Sequence, residues 1–300
     1  MSRIREALTK AATERAKLTD VGGDFTDIAA EVRRPAAAAV VDVPKMDAPK
    51  IEVQPEPNVG PATAITFDDV QRKCKRPDWK LDPRINLFAP GANERAGAER
   101  FRTLRSRLYQ IAETRPLRRI LITSSVAAEG KSFVCANLAQ AMVHRQDRKV
   151  LLIDADLRKP TLHEVLSAPK TPGLTNYLRG EVDEFAVIQK GSQNNLFFIP
   201  AGDEVGAPSE LLLNDRMRKL LDFGSELFDW VILDSPPALP VHDPSMLANL
   251  CDGVLFVVRA GSTDVDMATK ASAEFRQKNL LGVVFNHIAK AESYGNTYYK

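Results

Sequence analysis

The sequence predicts an α/β fold, in which a doubly wound, mostly parallel sheet carries helices on both of its faces. From about residue 85 onward, short apolar runs rich in β-branched residues alternate with helical stretches, which is typical of parallel strands buried on both sides. The hydrophobic fraction of 44% over 300 residues is sufficient for a core of that size. No apolar run approaches the ~18–20 residues that are needed to span a bilayer.

Composition divides the chain into four segments. Residues 1–20 are rich in helix formers and predict an amphipathic helix, which either stays solvated or docks on a membrane surface or a partner. Residues 21–63 include six prolines between Pro35 and Pro61 and predict an extended linker. We expect a folded domain over residues 64–290, with its core starting near residue 85, and a tail over residues 291–300.

The core of this domain is expected to begin with a helix over residues 94–112 and then to alternate strands and helices. Expected strands cover residues 119–124, 149–154, 196–200, 230–234, 253–259 and 281–286. A second helix is expected over residues 132–145, after the first strand. In such a sheet, ligands bind beyond the carboxyl ends of the strands, so a functional site is expected in the loops that follow them.

Charge and cysteine content exclude several classes of protein. The 41 basic and 39 acidic residues leave a net charge of +2, so we expect no nucleic-acid partner. The three cysteines lie far apart without C-x-x-C spacing and are expected to be free thiols in a reducing compartment. Because the N-terminus leads into charges rather than an apolar segment, it is unlike a secretory signal, and we expect a cytoplasmic protein.

The first strand runs into a loop that ends in Gly130-Lys131-Ser132 and then into a helix, which is the context of a phosphate-binding P-loop. Backbone N–H groups of such a loop and of the helix N-terminus point at anionic oxygens, and the helix dipole adds partial positive charge. Lys131 would reach the β- and γ-phosphates, and the Ser132 hydroxyl would bind Mg²⁺. Ser125 stands where the general motif has its first glycine. The residues predicted to bind nucleotide are Ala128, Glu129, Gly130, Lys131, Ser132 and Phe133.

Acidic residues end two of the predicted strands. Asp154 and Asp156 follow the strand at 149–154, and Asp234 ends the strand at 230–234. Because the carboxyl ends of parallel strands meet at one edge, all three acids are expected beside the P-loop. Any one of them could instead cap a helix. Three acids beside one Gly-Lys-Ser loop indicate a site for a metal ion and a nucleotide.

These motifs resemble those of the bacterial tyrosine kinases of exopolysaccharide synthesis, in particular the cytoplasmic autokinases, over about residues 85–300. The loop A-A-E-G-K-S is similar to the family's P-G-E-G-K-S. The run V-L-L-I-D-A-D-L-R-K-P at 150–160 matches the family's second acidic motif, and V-I-L-D-S-P-P at 231–237 matches its Walker B motif.

Two departures from related patterns stand out in the loop. Ala127 and Ala128 replace the family's Pro-Gly, and if position 128 requires a positive φ, alanine there costs about 1 kcal/mol. Val126 stands where plasmid-partition and septum-placement ATPases carry an extra lysine. The missing lysine favours the kinases over those relatives.

The resemblance implies a P-loop NTPase fold with ATP and Mg²⁺ as cofactors. It implies that Lys131 and Ser132 bind phosphate and Mg²⁺, and that Asp156 and Asp234 hold the metal directly or through water. Asp154 is implied as the group that accepts the tyrosine hydroxyl proton, which makes Asp154 and Lys131 the expected catalytic residues.

The C-terminal tail is rich in tyrosine, since Tyr294, Tyr298 and Tyr299 are three of the five tyrosines in the chain. The tail has no aliphatic side chain after Ala291, so it cannot be a core strand. The resemblance implies that these tyrosines are the autophosphorylation sites.

The helix before the first strand carries Glu99, Arg102 and Arg105 in E-x-x-R-x-x-R spacing. This spacing puts the three charges on roughly one side of the helix, as in an ordinary salt-bridged exposed helix. The resemblance implies instead that they contact a neighbouring subunit in a ring, in which one subunit's tail enters the next subunit's site.

The leading hypothesis is an ATP-dependent protein-tyrosine autokinase that regulates exopolysaccharide polymerisation or export and phosphorylates its tail in trans within such a ring. We expect a separate transmembrane polysaccharide co-polymerase as activator, a protein-tyrosine phosphatase as a further partner, and recruitment to the inner face of the plasma membrane. The alternative is a non-catalytic, nucleotide-dependent assembly switch for the co-polymerase, which the Ala127-Ala128 departure favours.

Overall fold

A seven-stranded sheet forms the centre of the protein in a computed structural model, which describes residues 65–93, 95–144, 148–191 and 195–288. The strands are β1 (Arg119–Ser124), β2 (Val150–Asp154), β3 (Gln189–Lys190), β4 (Leu196–Ile199), β5 (Trp230–Asp234), β6 (Gly253–Arg259) and β7 (Leu280–Asn286). Their order is β3-β4-β2-β5-β1-β6-β7, and every neighbouring pair is parallel except β3 with β4. The predicted doubly wound, mostly parallel α/β fold is confirmed.

Helices connect the strands. Their bounds are α1 (Phe67–Lys73), α2 (Arg95–Thr114), α3 (Lys131–Val143), α4 (Leu162–Val165), α5 (Leu174–Leu178), α6 (Glu184–Val187), α7 (Pro208–Leu212), α8 (Asp215–Leu227), α9 (Asp243–Ala248) and α10 (Val265–Arg276). Within the described residues, no helix has both the length and the apolar character that crossing a membrane requires.

The apolar side chains form two cores, one on each face of the sheet. Successive strand residues point to opposite faces, so in β1 Leu121 belongs to one core and Ile120 and Ile122 belong to the other. Helix α3 contacts α2 and strands β1, β2 and β5, and its residues are buried on nearly all sides. This explains why α3 is apolar around its whole circumference. The helix that begins at the P-loop is therefore held rigidly in the protein.

The folded core begins well before residue 85, where the sequence led us to expect its start. Val70 is wholly buried, and Trp79 is 3% exposed. The ring of Phe67 packs edge-on against Phe197 and Phe228, at centroid distances of 5.4 and 5.6 Å. In the sequence these apolar residues are scattered among charged ones, and the partners that bury α1 lie more than 100 positions away. Local composition therefore did not indicate that the core includes them.

Most element boundaries follow the apolar pattern. Strands β1, β5 and β6 have the predicted bounds, and β2, β4 and β7 differ from the prediction by one residue at one end. The short strand β3 was not predicted, because its two polar residues carry no pattern and join the sheet only through antiparallel pairing with β4. All three cysteines are buried and free, as expected.

Candidate active site

The loop after β1 leads into α3 at the carboxyl edge of the sheet. Gly130, the residue before the helix, has a φ of 90°, and Ala128 has a φ of 65°. Position 128 therefore does require left-handed backbone, and an alanine there costs on the order of 1 kcal/mol. Lys131 and Ser132 are the first two residues of α3, where backbone N–H groups have no partner within the helix. All the residues predicted to bind nucleotide lie in this loop or in the first turn.

Contacts with Glu129, two of them from residues distant in sequence, hold this loop in place. Its buried carboxylate accepts hydrogen bonds from the backbone N–H of Val126 at 2.8 Å and from the Thr263 hydroxyl at 2.5 Å. The side-chain amide of Asn286 donates to the backbone carbonyl of Glu129 at 3.0 Å. A Cβ at Gly130 would lie 2.0 Å from that amide nitrogen, so only glycine fits there. The Glu129 side chain supports the loop from inside, which leaves its main chain to face a ligand.

Asp154 and Asp234 end neighbouring strands and are paired in register, so their wholly buried carboxyl groups lie side by side. The Ser132 hydroxyl donates a hydrogen bond to Asp234 Oδ2 at 2.5 Å. The other carboxylate oxygen, Asp234 Oδ1, is buried and has no hydrogen-bond partner among the described residues. The structure thus brings together the P-loop serine and both strand-end acids.

Burial raises the pKa of all three site carboxyls. The pKa of Asp154 lies well above its ordinary value because of burial and, next, because of the charge of Asp234. Burial also raises the pKa of Asp234 to about 6, although the positive charge of Lys131 and the hydrogen bond from Ser132 oppose the shift. Burial likewise raises the pKa of Asp156. Three crowded, buried carboxyls are unfavourable as anions unless a cation joins them, so the site favours added positive charge.

Several side chains of the site have the chemistry of Mg²⁺ ligands, and substrate and water would complete the coordination of the ion. The Ser132 hydroxyl and the carboxylates of Asp156 and Asp234 are oxygen ligands, which Mg²⁺ prefers, and Asp234 Oδ1 has its lone pairs unused. Within the described residues, no three His, Cys, Asp or Glu side chains converge closely enough to hold an ion by themselves. An Mg²⁺ ion usually keeps water and takes phosphate oxygens from the substrate as further ligands.

Hydrogen bonds and an ion pair hold Asp156 and Arg158 in place after β2. Asp156 Oδ1 accepts a hydrogen bond from the backbone N–H of Lys159 at 3.0 Å. The Arg158 guanidinium forms an ion pair with the buried carboxylate of Asp243 at 2.7 Å and also donates to the Ser209 hydroxyl. Sequence reasoning missed Asp243, since it carries no signal beyond that of an ordinary helix start.

The predicted oligomer contacts lie on α2. Glu99 and Arg102 form an ion pair with each other. Arg105 Nη1 donates to the backbone carbonyl of Ala141 at 2.7 Å. Because Ala141 is near the C-terminal end of α3, the guanidinium of Arg105 lies away from the loop that begins this helix.

Several predicted features fall outside the described residues. These are the N-terminal helix over residues 1–20, the linker over 21–63, and the tyrosines Tyr294, Tyr298 and Tyr299. The described chain stops at Ile288, two positions after Asn286, whose side chain contacts Glu129. The last described residues therefore lie beside the P-loop.

Known proteins share both the motifs and the fold. The family model described as the CobQ/CobB/MinD/ParA nucleotide binding domain matches residues 120–298. Tyrosine-protein kinase YwqD of Bacillus subtilis (strain 168) is 34% identical over 214 residues, which cover 70% of this chain and 90% of YwqD. Tyrosine-protein kinase Etk of Escherichia coli (strain K12) is 33% identical over 205 residues, which cover 68% of this chain but only 28% of Etk. The solved structure of the chimerical protein CapA2B2 has a TM-score of 0.65 at 28% identity and covers 75% of this chain and 100% of that chain.

The family model spans more than half of the chain, and the match to YwqD extends over most of that protein. The matched region includes the P-loop and the acids at the ends of β2 and β5. This chain therefore belongs to the CobQ/CobB/MinD/ParA nucleotide-binding family and, within it, to the bacterial tyrosine-protein kinases.

Proposed function

We propose that this chain is an ATP- and Mg²⁺-dependent protein-tyrosine kinase that phosphorylates the tyrosines of its own tail. The observation that carries the proposal is the group of buried carboxylates, Asp154, Asp156 and Asp234, beside the N-terminus of α3. Phosphoryl transfer requires a phosphate-binding loop, a cation site and a proton acceptor in one place. The kinase names of YwqD and Etk support tyrosine as the acceptor.

In this proposal, the loop and α3 bind and orient the nucleotide. The backbone N–H groups from Ala128 to Phe133 and the ammonium of Lys131 bind the phosphates. Ser132, Asp156 and Asp234 hold Mg²⁺ directly or through water. When bound, Mg²⁺ would neutralise part of the negative charge of the phosphates.

Asp154 receives the proton of the attacking tyrosine hydroxyl. Its raised pKa makes the carboxylate a better proton acceptor than an exposed aspartate. Both of its oxygens accept backbone N–H groups, from Asp156 at 3.3 Å and from Leu162 at 3.1 Å, and these bonds hold its orientation.

The position of the last described residues supports autophosphorylation of the tail. Tyr294 follows Ile288 by six positions, and an extended segment of that length spans about 20 Å. Because the last described residues lie beside the P-loop, we propose that the tail presents its tyrosines at high effective concentration to a site in the same subunit or in a neighbour. We propose transfer in trans within a ring in which Glu99, Arg102 and Arg105 contact the adjacent subunit.

The resemblance to kinases of exopolysaccharide synthesis supports a biological setting for this activity. In that setting the enzyme regulates polymerisation or export and is recruited to the inner face of the plasma membrane by a separate transmembrane co-polymerase. A protein-tyrosine phosphatase resets the tail.

The test is mass spectrometry of the C-terminal peptides after incubation of the full chain with ATP and Mg²⁺. We expect phosphate on Tyr294, Tyr298 and Tyr299, and a loss of at least about 100-fold in Lys131→Met. Lys149→Met is the matched control, since Lys149 lies at the opposite edge of the sheet, over the ring of Phe67. Phosphate found only on tyrosines of the folded domain, or an unchanged yield in Lys131→Met, would refute the proposal.

One observation favours the non-catalytic switch as a second candidate. Ala128 adopts a φ of 65° in the loop, where this conformation costs a residue with a Cβ on the order of 1 kcal/mol. A strained loop weakens nucleotide binding. A wild-type chain that binds Mg²⁺ and ATP but leaves its tail unmodified would select this candidate over the kinase.

A further inference from the structure

The Ser132 hydroxyl has a second partner that the nucleotide-site motifs do not include. The hydroxyl of Thr161, in the residue before α4, lies 2.8 Å from Ser132 Oγ. Ser132 in turn lies 2.5 Å from Asp234 Oδ2. The three side chains therefore form one line of hydrogen bonds that runs from the segment after β2, through the P-loop helix, to the end of β5.

The direction of these hydrogen bonds follows from donor and acceptor counts. An ionised carboxylate only accepts, so the single hydrogen of Ser132 is used on Asp234. The contact with Thr161 therefore uses the hydrogen of Thr161, and Ser132 accepts it with one lone pair. A hydroxyl oxygen has two lone pairs, so one lone pair of Ser132 stays available for a cation.

Thr161 does not use its hydroxyl for its own helix. It occupies the N-cap position of α4, yet its side chain makes no capping hydrogen bond. The N–H of the next residue, Leu162, donates to Asp154 Oδ2 at 3.1 Å. The start of α4 thus contacts both the predicted metal-binding serine and the predicted proton acceptor.

We propose that Thr161 is a positioning residue, which fixes the rotation of the Ser132 hydroxyl so that its hydrogen points at Asp234 and its free lone pair points at Mg²⁺. This inference rests on the proposed function, because it presumes that Ser132 binds the metal. Without Thr161 the hydroxyl is held only by its bond to Asp234, so it turns over a wider range about the Cβ–Oγ bond and part of the population turns its free lone pair away from the ion. Partners of metal ligands typically change metal affinity 10- to 100-fold.

The experiment measures the Mg²⁺ dependence of ADP binding by calorimetry, so its readout is independent of phosphorylation. Thr161→Val keeps the shape of the side chain and removes the donor, and we expect about a tenfold loss of apparent Mg²⁺ affinity. Thr161→Ser keeps the donor and is expected to retain affinity within twofold. In the Ser132→Ala background, Thr161→Val is expected to cause no further loss, since the serine through which it acts is absent.

Three results would overturn the inference. They are unchanged affinity in Thr161→Val, an equal loss in Thr161→Ser, or a full additional loss in the Ser132→Ala background. The melting temperature of each variant without ligand shows whether the fold is retained. If Ser132→Ala itself leaves Mg²⁺-dependent binding intact, the proposed metal site fails together with the role of Thr161. If only Ser132→Ala loses affinity, the metal site stands and Thr161 has no part in it.

Discussion

Carboxylates at the two edges of the sheet differ in burial and in hydrogen-bond partners. At the carboxyl edge, Asp154 and Asp234 are wholly buried side by side, and Asp234 Oδ1 has no hydrogen-bond partner among the described residues. At the amino edge, Asp229 accepts from Arg148 at 2.9 Å and from the backbone N–H of Lys149 at 2.8 Å. Asp252 accepts two backbone N–H groups, both at 2.8 Å.

The amino edge has an open cavity of about 1040 Å³ that is lined by charged residues such as Arg115, Arg148 and Asp229. Arg148 and Asp229 are paired with each other there, so the charges support the fold. What distinguishes the carboxyl edge is that two buried carboxylates, Asp154 and Asp234, lie next to each other, and a bound cation would relieve their mutual repulsion.

The first prediction compares one carboxylate from each edge. Asp154→Asn should lower the rate of tail phosphorylation by roughly 10²–10⁴-fold and leave nucleotide affinity nearly unchanged, because the amide cannot accept the tyrosine proton. Asp252→Asn is the matched control and should lower the melting temperature without affecting the phosphorylation rate per folded molecule. Both rates are measured by single-turnover assays with ATP.

A full rate in Asp154→Asn would contradict this assignment.

The second prediction concerns pH. Because the pKa of Asp234 is about 6 in the folded protein, against an ordinary value of 3.8, its carboxyl binds a proton more tightly when folded. Its contribution to stability is therefore full below about pH 4 and is lost as the pH rises through 6. Metal binding requires the ionised form, so the apparent Mg²⁺ affinity should fall about tenfold per unit of pH below 6.

Calorimetric titrations of Mg²⁺ and ADP between pH 5 and pH 8 measure this dependence. The same profile in Asp229→Asn is expected, since that carboxylate lies at the other edge. An Mg²⁺ affinity that stays constant over this range would show that Asp234 does not hold the ion.

The third and smallest prediction concerns strain at the carboxyl edge. Ala128→Gly should stabilise the protein by up to about 1 kcal/mol, or 2–4 °C in melting temperature, because glycine adopts a φ of 65° without a Cβ clash. Ala127→Gly is the control, since Ala127 has no positive φ and its replacement only adds freedom to the unfolded chain. Equal melting temperatures for the two variants would show that the loop is not strained.

Much of the fold and part of the site could be predicted because the signals are local. The apolar runs of β1, β5 and β6 define those strands residue by residue. The P-loop and the acids after β2 and β5 could be placed at one edge from topology alone, since the carboxyl ends of parallel strands coincide.

The features that escaped prediction depend on contacts distant in sequence. Thr263 and Asn286 brace Glu129 from 134 and 157 positions away, and each is a single polar residue without a pattern. Docking of α1 depends on aromatic packing of Phe67 against Phe197. The sequence predicted a cost at Ala128 only if that position required a positive φ. It could not decide the φ itself, because the conformation of the whole loop determines it.

The two ends of β5 offer the most direct test that the carboxyl edge is built for a cation and a nucleotide. The measurement is the melting temperature of Asp234→Asn and Asp229→Asn with and without Mg²⁺ and ADP. We expect Asp234→Asn to melt a few degrees above the wild type when empty, since a buried charge is removed, and to lose the stabilisation by Mg²⁺ and ADP. Asp229→Asn should melt lower and keep that stabilisation. Full stabilisation of Asp234→Asn by Mg²⁺ and ADP, or its loss in Asp229→Asn, would contradict the assignment of the site.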